Sequence, residues 1–97
     1  MMVLVTYDVN TETKQGRKRL RHVANLCVDY GQRVQNSVFE CSVIPAEFVE
    51  LKGKLANIID PDCDSIRFYL LGKNWQKRVE QMGNNNSYDP DKDVLLL

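Results

Sequence analysis

Met1-Met2-Val3-Leu4-Val5-Thr6-Tyr7-Asp8-Val9 opens the chain and sets the architecture of its sheet. From Met2 to Val9 the residues are β-branched and almost continuously apolar, which specifies a strand covered on both faces and therefore central in its sheet. Asp8 stands at the carboxyl end of that strand and is followed at once by the polar loop Asn10-Thr11-Glu12-Thr13. A carboxylate there is poorly placed for packing and well placed for holding a cation. On the residues alone the alternative stays open that Asp8 only caps the loop, as many strand-end aspartates do. The chain offers little else for polar chemistry: one histidine, His22, no glycine-rich phosphate loop and no cysteine pair at metal-ligand spacing.

Beyond Gly16 the apolar period changes from two to 3.6. Leu20, Val23, Ala24, Cys27 and Tyr30 form one stripe of an amphipathic helix that stops at Gly31. On a helical wheel Arg17 and Arg21 border one side of the stripe, Arg19 lies toward the other, and Lys18 and His22 face solvent. The segment from Arg33 to Val43 is too long for one ordinary strand and reads as two short strands or one strand bent near Asn36. Pro45 opens a second helix whose stripe is Phe48, Leu51, Leu55 and Ile58 and which ends before Asp60-Pro61. Ser65 to Leu71 is a further strand with both faces at least partly covered, closed by Gly72. Trp75 to Val79 reads as a turn of helix or a short strand, and the run from Gly83 to Ser87 as a loop. This order predicts an α+β, ferredoxin-like βαββαβ sandwich in a single domain spanning 1–97. Two helices cover one face of such a sheet, so a homodimer through the other face completes it. Val94-Leu95-Leu96-Leu97 predict an extra C-terminal strand on a sheet edge, with residues 84–97 as a dimerisation tail.

Thirteen basic and thirteen acidic residues cancel, so attraction for nucleic acid must come from local clustering. Lys14, Arg17, Lys18, Arg19 and Arg21 put five cations into eight positions with no acid among them, a rim suited to phosphate, although an ordinary solvated helix face has the same composition. Cys27, Cys41 and Cys63 are odd in number and widely spaced, which argues for reduced, mostly packing cysteines and a cytoplasmic setting. No charged segment leads into a long apolar one, so neither a signal peptide nor a membrane span is expected. Asp60-Pro61-Asp62-Cys63-Asp64 and Asp89-Pro90-Asp91-Lys92-Asp93 have the look of calcium loops but lack their glycine and glutamate, and read as solvated turns.

Tyr7-Asp8 ending a first strand, Gly16-Arg17-Lys18-Arg19-Leu20 opening a helix, Arg33-Val34-Gln35-Asn36-Ser37-Val38-Phe39-Glu40, Ser65-Ile66-Arg67-Phe68-Tyr69 and an apolar tail together resemble the small CRISPR-associated endonucleases of the spacer-acquisition machinery. The resemblance covers the whole chain. It implies a ferredoxin-like homodimer, a Mg-dependent phosphodiesterase (with Mn as a substitute) acting on double-stranded DNA or RNA, and a partner in the CRISPR integrase. It places the metal and catalytic aspartate on Asp8, its neighbour on Tyr7, and supporting positions on Arg17, Arg19, Arg33, Ser37 and Phe39. One carboxylate per chain is a poor magnesium site, but two copies of Asp8 meeting at a two-fold axis could share an ion. Two further readings compete: a non-catalytic DNA-binding scaffold bridging integrase dimers, and a ribonuclease toxin of related fold.

Overall fold

In the computed structural model, which describes residues 1–83, strand β1 (Met2–Asp8) has a hydrogen-bonded neighbour on each edge. The other strands are β2 (Gly31–Gln35), β3 (Val38–Ser42) and β4 (Ser65–Leu70), and the helices are α1 (Lys14–Cys27) and α2 (Pro45–Ala56). The sheet runs β2-β3-β1-β4 with every pairing antiparallel, so β1 is central as its composition requires and the architecture is the ferredoxin-like α+β sandwich. Val5 lies opposite Phe39 on one side and Phe68 on the other, and Asp8 lies opposite Ser65. Of the two readings for residues 33–43, two strands is the one observed. Asn36-Ser37 form the turn, and the β2–β3 register slips between Arg33 and Gln35, a β-bulge that sharpens the hairpin's twist.

Helix α1 starts where Thr13 Oγ1 accepts from the Gly16 N–H at 3.0 Å. It ends at Cys27, short of the predicted stop. The N–H groups of Asp29 and Tyr30 turn to the carbonyls of Leu26 and Cys27 three residues back, and Tyr30 leaves the stripe to bond its carbonyl to Ser42 N–H at 2.9 Å. Pro45 is the first residue of α2, and the Glu47 carboxylate accepts from the Ile44 N–H at 2.9 Å. Leu51 and Leu55 are buried, and Phe48 meets Phe68 edge to face with centroids 5.5 Å apart. Trp75–Arg78 is a short 3-10 turn, the helical of the two readings. No helix among the described residues is long and apolar enough to cross a membrane.

Val3, Val5 and Tyr7 of β1 and Phe39 and Cys41 of β3 point toward the helices and form the core with Val23, Ala24, Cys27, Leu51 and Leu55. The opposite face of β1 carries Met2, Leu4 and Thr6, all half-buried, and exposed Asp8. The expectation that β4 is covered on both faces fails, because both helices lie on one side and leave Arg67 and Tyr69 exposed on the other. Cys27 and Cys41 are buried free thiols and Cys63 is an exposed one. The predicted C-terminal strand and dimerisation tail, residues 84–97 with Val94, Leu95, Leu96 and Leu97, lie outside the described residues.

Gly31 opens β2 where the two backbones of the hairpin come close. A Cβ there would stand 1.8 Å from the Glu40 carbonyl oxygen and 2.7 Å from Cys41 Cα. Gly31→Ala should force β2 away from β3 and cost about 2 kcal/mol, the scale of overpacking, readable as a lower urea midpoint at unchanged m.

Candidate functional site

Asp8 ends β1 with its side chain exposed on the sheet face that carries no helix. The following loop is held without it. Asn10 Oδ1 accepts from Glu12 N–H at 2.8 Å, and the Asn10 carbonyl accepts from Thr13 Oγ1 at 3.4 Å. Among the described residues the Asp8 carboxylate has no hydrogen-bond or ionic partner, so loop capping does not account for it.

Directly behind Asp8, on the helix side of the sheet, lies a second carboxylate that sequence reasoning placed in a solvated turn. The Asp64 side chain is fully buried. It accepts from Arg19 Nε at 2.8 Å, from Arg19 Nη2 at 3.1 Å, from the Asp60 N–H at 3.0 Å and from the Tyr7 hydroxyl. Burial opposes ionisation of Asp64, but the bonds from Arg19, Asp60 and Tyr7 together hold its carboxyl below the usual range. Desolvation first, and then the bond to Asp64, push the Tyr7 hydroxyl well above its ordinary value, so it stays protonated and donating. The network ties β1, α1 and the start of β4 together at the point where Asp8 and Ser65 face each other across the sheet. The signal was present in the sequence: Tyr7 shares the buried period of Val3 and Val5, and a buried tyrosine hydroxyl needs an acceptor.

This geometry corrects several expected site residues. Tyr7 is 3% exposed and its hydroxyl is bonded to Asp64 on the helix side of the sheet, away from the face that carries Asp8. Phe39 is fully buried in the core. Arg19 is committed to Asp64 and leaves the basic rim, because a bidentate pair with a buried carboxylate outweighs an exposed phosphate contact. Ser37 sits in the β2–β3 turn, where its carbonyl accepts from Tyr7 N–H at 2.9 Å and brings the turn beside the end of β1. Lys14 and Lys18 are exposed on α1.

Arg17, Arg21 and Arg33 converge on a cleft of about 390 Å3 between α1 and the β2–β3 turn. Arg17 Nη1 donates to the Thr11 carbonyl at 3.0 Å, and Arg33 donates to the Asn36 carbonyl from Nε at 2.9 Å and from Nη2 at 2.6 Å. Asn25 and Asn36 complete the polar lining and were not singled out in the sequence, although Arg17, Arg21 and Asn25 repeat every four residues on one helix face. Thr11 and Asn36 come from the same end of the sheet as Asp8, so carboxylate and cleft share that end.

Among the described residues no group of three or more His, Cys, Asp or Glu side chains could hold a metal ion. The end of β1 therefore offers the Asp8 carboxylate without a cluster of further ligands among the described residues, a donor that suits a hard divalent cation only if more oxygens come from a second copy and from a bound phosphate.

The family model described as "CRISPR associated protein Cas2" matches residues 1–79. The chain is 58% identical over 96 residues to the CRISPR-associated endoribonuclease Cas2 of Chlorobaculum tepidum, covering 99% of this chain and 100% of that protein. Among solved structures, Streptococcus pyogenes Cas2 superposes with a TM-score of 0.84 at 81% identity, over 86% of this chain and 100% of that one. A chain of a partial Cas6-RT-Cas1–Cas2 complex superposes with a TM-score of 0.66 at 32% identity, over 92% of this chain and 93% of that one. The motifs at Tyr7-Asp8 and Arg33 to Glu40, the sheet order and these likenesses agree, and the chain belongs to the Cas2 family of CRISPR-associated proteins.

Proposed function

We propose that this chain is a metal-dependent endonuclease of CRISPR spacer acquisition that works as a homodimer, with Asp8 from each copy facing a common substrate phosphate. The observation that carries the reading is the exposed Asp8 carboxylate, unpartnered among the described residues, at the end of the central strand on the sheet face that carries no helix. The endoribonuclease name of the Chlorobaculum tepidum relative supports nuclease chemistry, and the Cas1–Cas2 assembly named for a structural neighbour supports the integrase as partner.

A two-fold axis running along β1 brings the two Asp8 side chains together, because it keeps each residue at the same height along the strand while placing β3 of one copy over β4 of the other. Sheets packed this way belong to the aligned class. Magnesium, or manganese in its place, would supply an activated water and neutralise charge on the scissile phosphate. The protein's part is to fix the two carboxylates, through the Tyr7-Asp64-Arg19 network behind them, and to hold the polyanion with arginines 17, 21 and 33. Double-stranded DNA and RNA are both admitted as substrates by this chemistry, which contacts the phosphodiester rather than a base.

Asp8→Asn removes charge with almost no change in volume. The dimer should persist in light scattering while cleavage of RNA and of duplex DNA with Mg or Mn falls at least a hundredfold. Equal cleavage by the well-purified variant would overturn the catalytic reading. In that case the runner-up, a DNA-binding scaffold between integrase dimers, is supported if the variant still permits spacer acquisition with the integrase.

A further inference from the structure

The cleft between α1 and the β2–β3 turn holds three guanidinium groups and, among the described residues, no acid. Among the described residues neither Arg17, Arg21 nor Arg33 forms an ion pair, and Arg17 and Arg21 are like charges one helical turn apart, an arrangement that is unfavourable until an anion arrives. Two of the three are fixed before any ligand binds. Thr11 holds Arg17, and Asn36 holds Arg33 through two bonds while the Arg33 guanidinium stands 5.7 Å from the centroid of the Phe39 ring. Arg21 lines the same cleft and, among the described residues, has no hydrogen-bond partner.

We propose that this cleft seats one nucleotide of a single-stranded nucleic acid, its phosphate between Arg17 and Arg21 and its base against the plane of Arg33. The cleft's volume of about 390 Å3 falls within the range of small-ligand sites, roughly 300–1,000 Å3, and has room for a single nucleotide. A guanidinium held flat by two hydrogen bonds is a stacking platform for an unpaired base, and the amides of Asn25 and Asn36 supply donors and acceptors for a base edge. Leu20 and Ala24 give the cleft an apolar floor. The cleft and Asp8 share one end of the sheet on opposite faces, so a strand leading from one to the other passes over the Asn36-Ser37 turn. The inference rests on the proposed nuclease reading only for that direction of travel.

Binding is therefore measured with Asp8→Asn protein in EDTA, without divalent metal, and with the nucleic acid checked intact on a gel afterwards, so that its outcome is separate from that of the catalytic assay. Fluorescence anisotropy with an eight-nucleotide single-stranded RNA, the same sequence as single-stranded DNA, and the corresponding DNA duplex should show both single strands bound about tenfold tighter than the duplex. Arg21→Ala should weaken single-strand binding about tenfold. Arg33→Lys, which keeps the charge and loses the planar fork, should do nearly the same, whereas Lys73→Ala on the far loop should change nothing. Adenosine 5′-monophosphate should compete where inorganic phosphate at the same concentration does not. Duplex bound as tightly as the single strands, or an Arg33→Lys variant that binds like the parent, would overturn the proposal and leave the arginines as general phosphate contacts. The melting temperature of each variant guards against loss of fold, and Arg21, which forms no hydrogen bond or ion pair among the described residues, keeps the test open if Arg33→Lys loosens the turn.

Discussion

Asp64→Ala is expected to lower the stability of the folded chain by about 3 kcal/mol, a fall in melting temperature of more than about 10 °C for a domain of this size. The Asp64 side chain is fully buried and satisfies four donors at once. Removing it strands the hydroxyl of Tyr7, a residue 3% exposed, and the N–H of Asp60 without an acceptor. Arg19, at 21% side-chain exposure, can turn to water and suffers less. Adding Arg19→Ala to the Asp64→Ala chain should therefore cost little more, because the two act as one unit. The acid limb of the stability curve follows from the same carboxyl. Its folded value lies below its unfolded one, so the stability it contributes is present above about pH 4 and is lost as the pH falls through the depressed value. Asp64→Ala should flatten that limb as well as lower the plateau, as read by urea melts from pH 2 to 6.

Glu40 gives the opposite slope. It is 4% exposed between Phe39 and Cys41, its Oε1 has no hydrogen-bond partner among the described residues, and burial pushes its carboxyl up to about 7. The folded value exceeds the unfolded one, so the folded chain binds the extra proton. The stability tied to that proton is complete below about pH 4.5 and is lost as the pH rises through 7. The shift in full corresponds to about 3 kcal/mol, which screening by nearby water reduces to about 2. Glu40→Gln should remove this slope between pH 4.5 and 8 and leave the chain more stable than the parent at pH 8, by about 1 kcal/mol once the cost of a buried amide is counted. A parent melting temperature that is level from pH 5 to 8, or a variant that keeps the parent's slope, would show that Glu40 is ionised throughout. By strand pairing Glu40 lies beside Leu4, on the sheet face that also carries Asp8, so its protonation bears on the face where the dimer is proposed to form.

The sheet and both helices were legible in the sequence because their signals are local: the alternation at Val3, Val5 and Tyr7, the stripe at Leu20, Val23, Ala24 and Cys27, and Pro45 at the head of α2. The helical wheel also sorted the arginines correctly, with Arg17 and Arg21 on the cleft side and Arg19 on the other. Position on a wheel does not reveal what stands opposite. Asp64 is 45 residues from Arg19 and 57 from Tyr7, a distance over which periodicity carries no information, and so a structural ion pair was read as a phosphate contact. Phe39 was misassigned to the site for a related reason: a motif shared along the chain does not say which of its side chains face inward. Asn25 and Asn36 escaped notice because the cleft they line exists only once α1 and the β2–β3 turn are brought together.

In the proposed dimer one reactive centre needs Asp8 from two copies. Wild-type and Asp8→Asn chains, mixed one to one and allowed to exchange subunits, form two kinds of homodimer and a mixed dimer at about 1:2:1. If the two carboxylates act together, only the wild-type homodimer cleaves, and metal-dependent activity per total dimer falls to about one quarter of the unmixed value, following the square of the wild-type fraction across a mixing series. Activity that falls in direct proportion to the wild-type fraction, to about one half at equal mixing, would mean that each Asp8 works alone and would contradict the shared site.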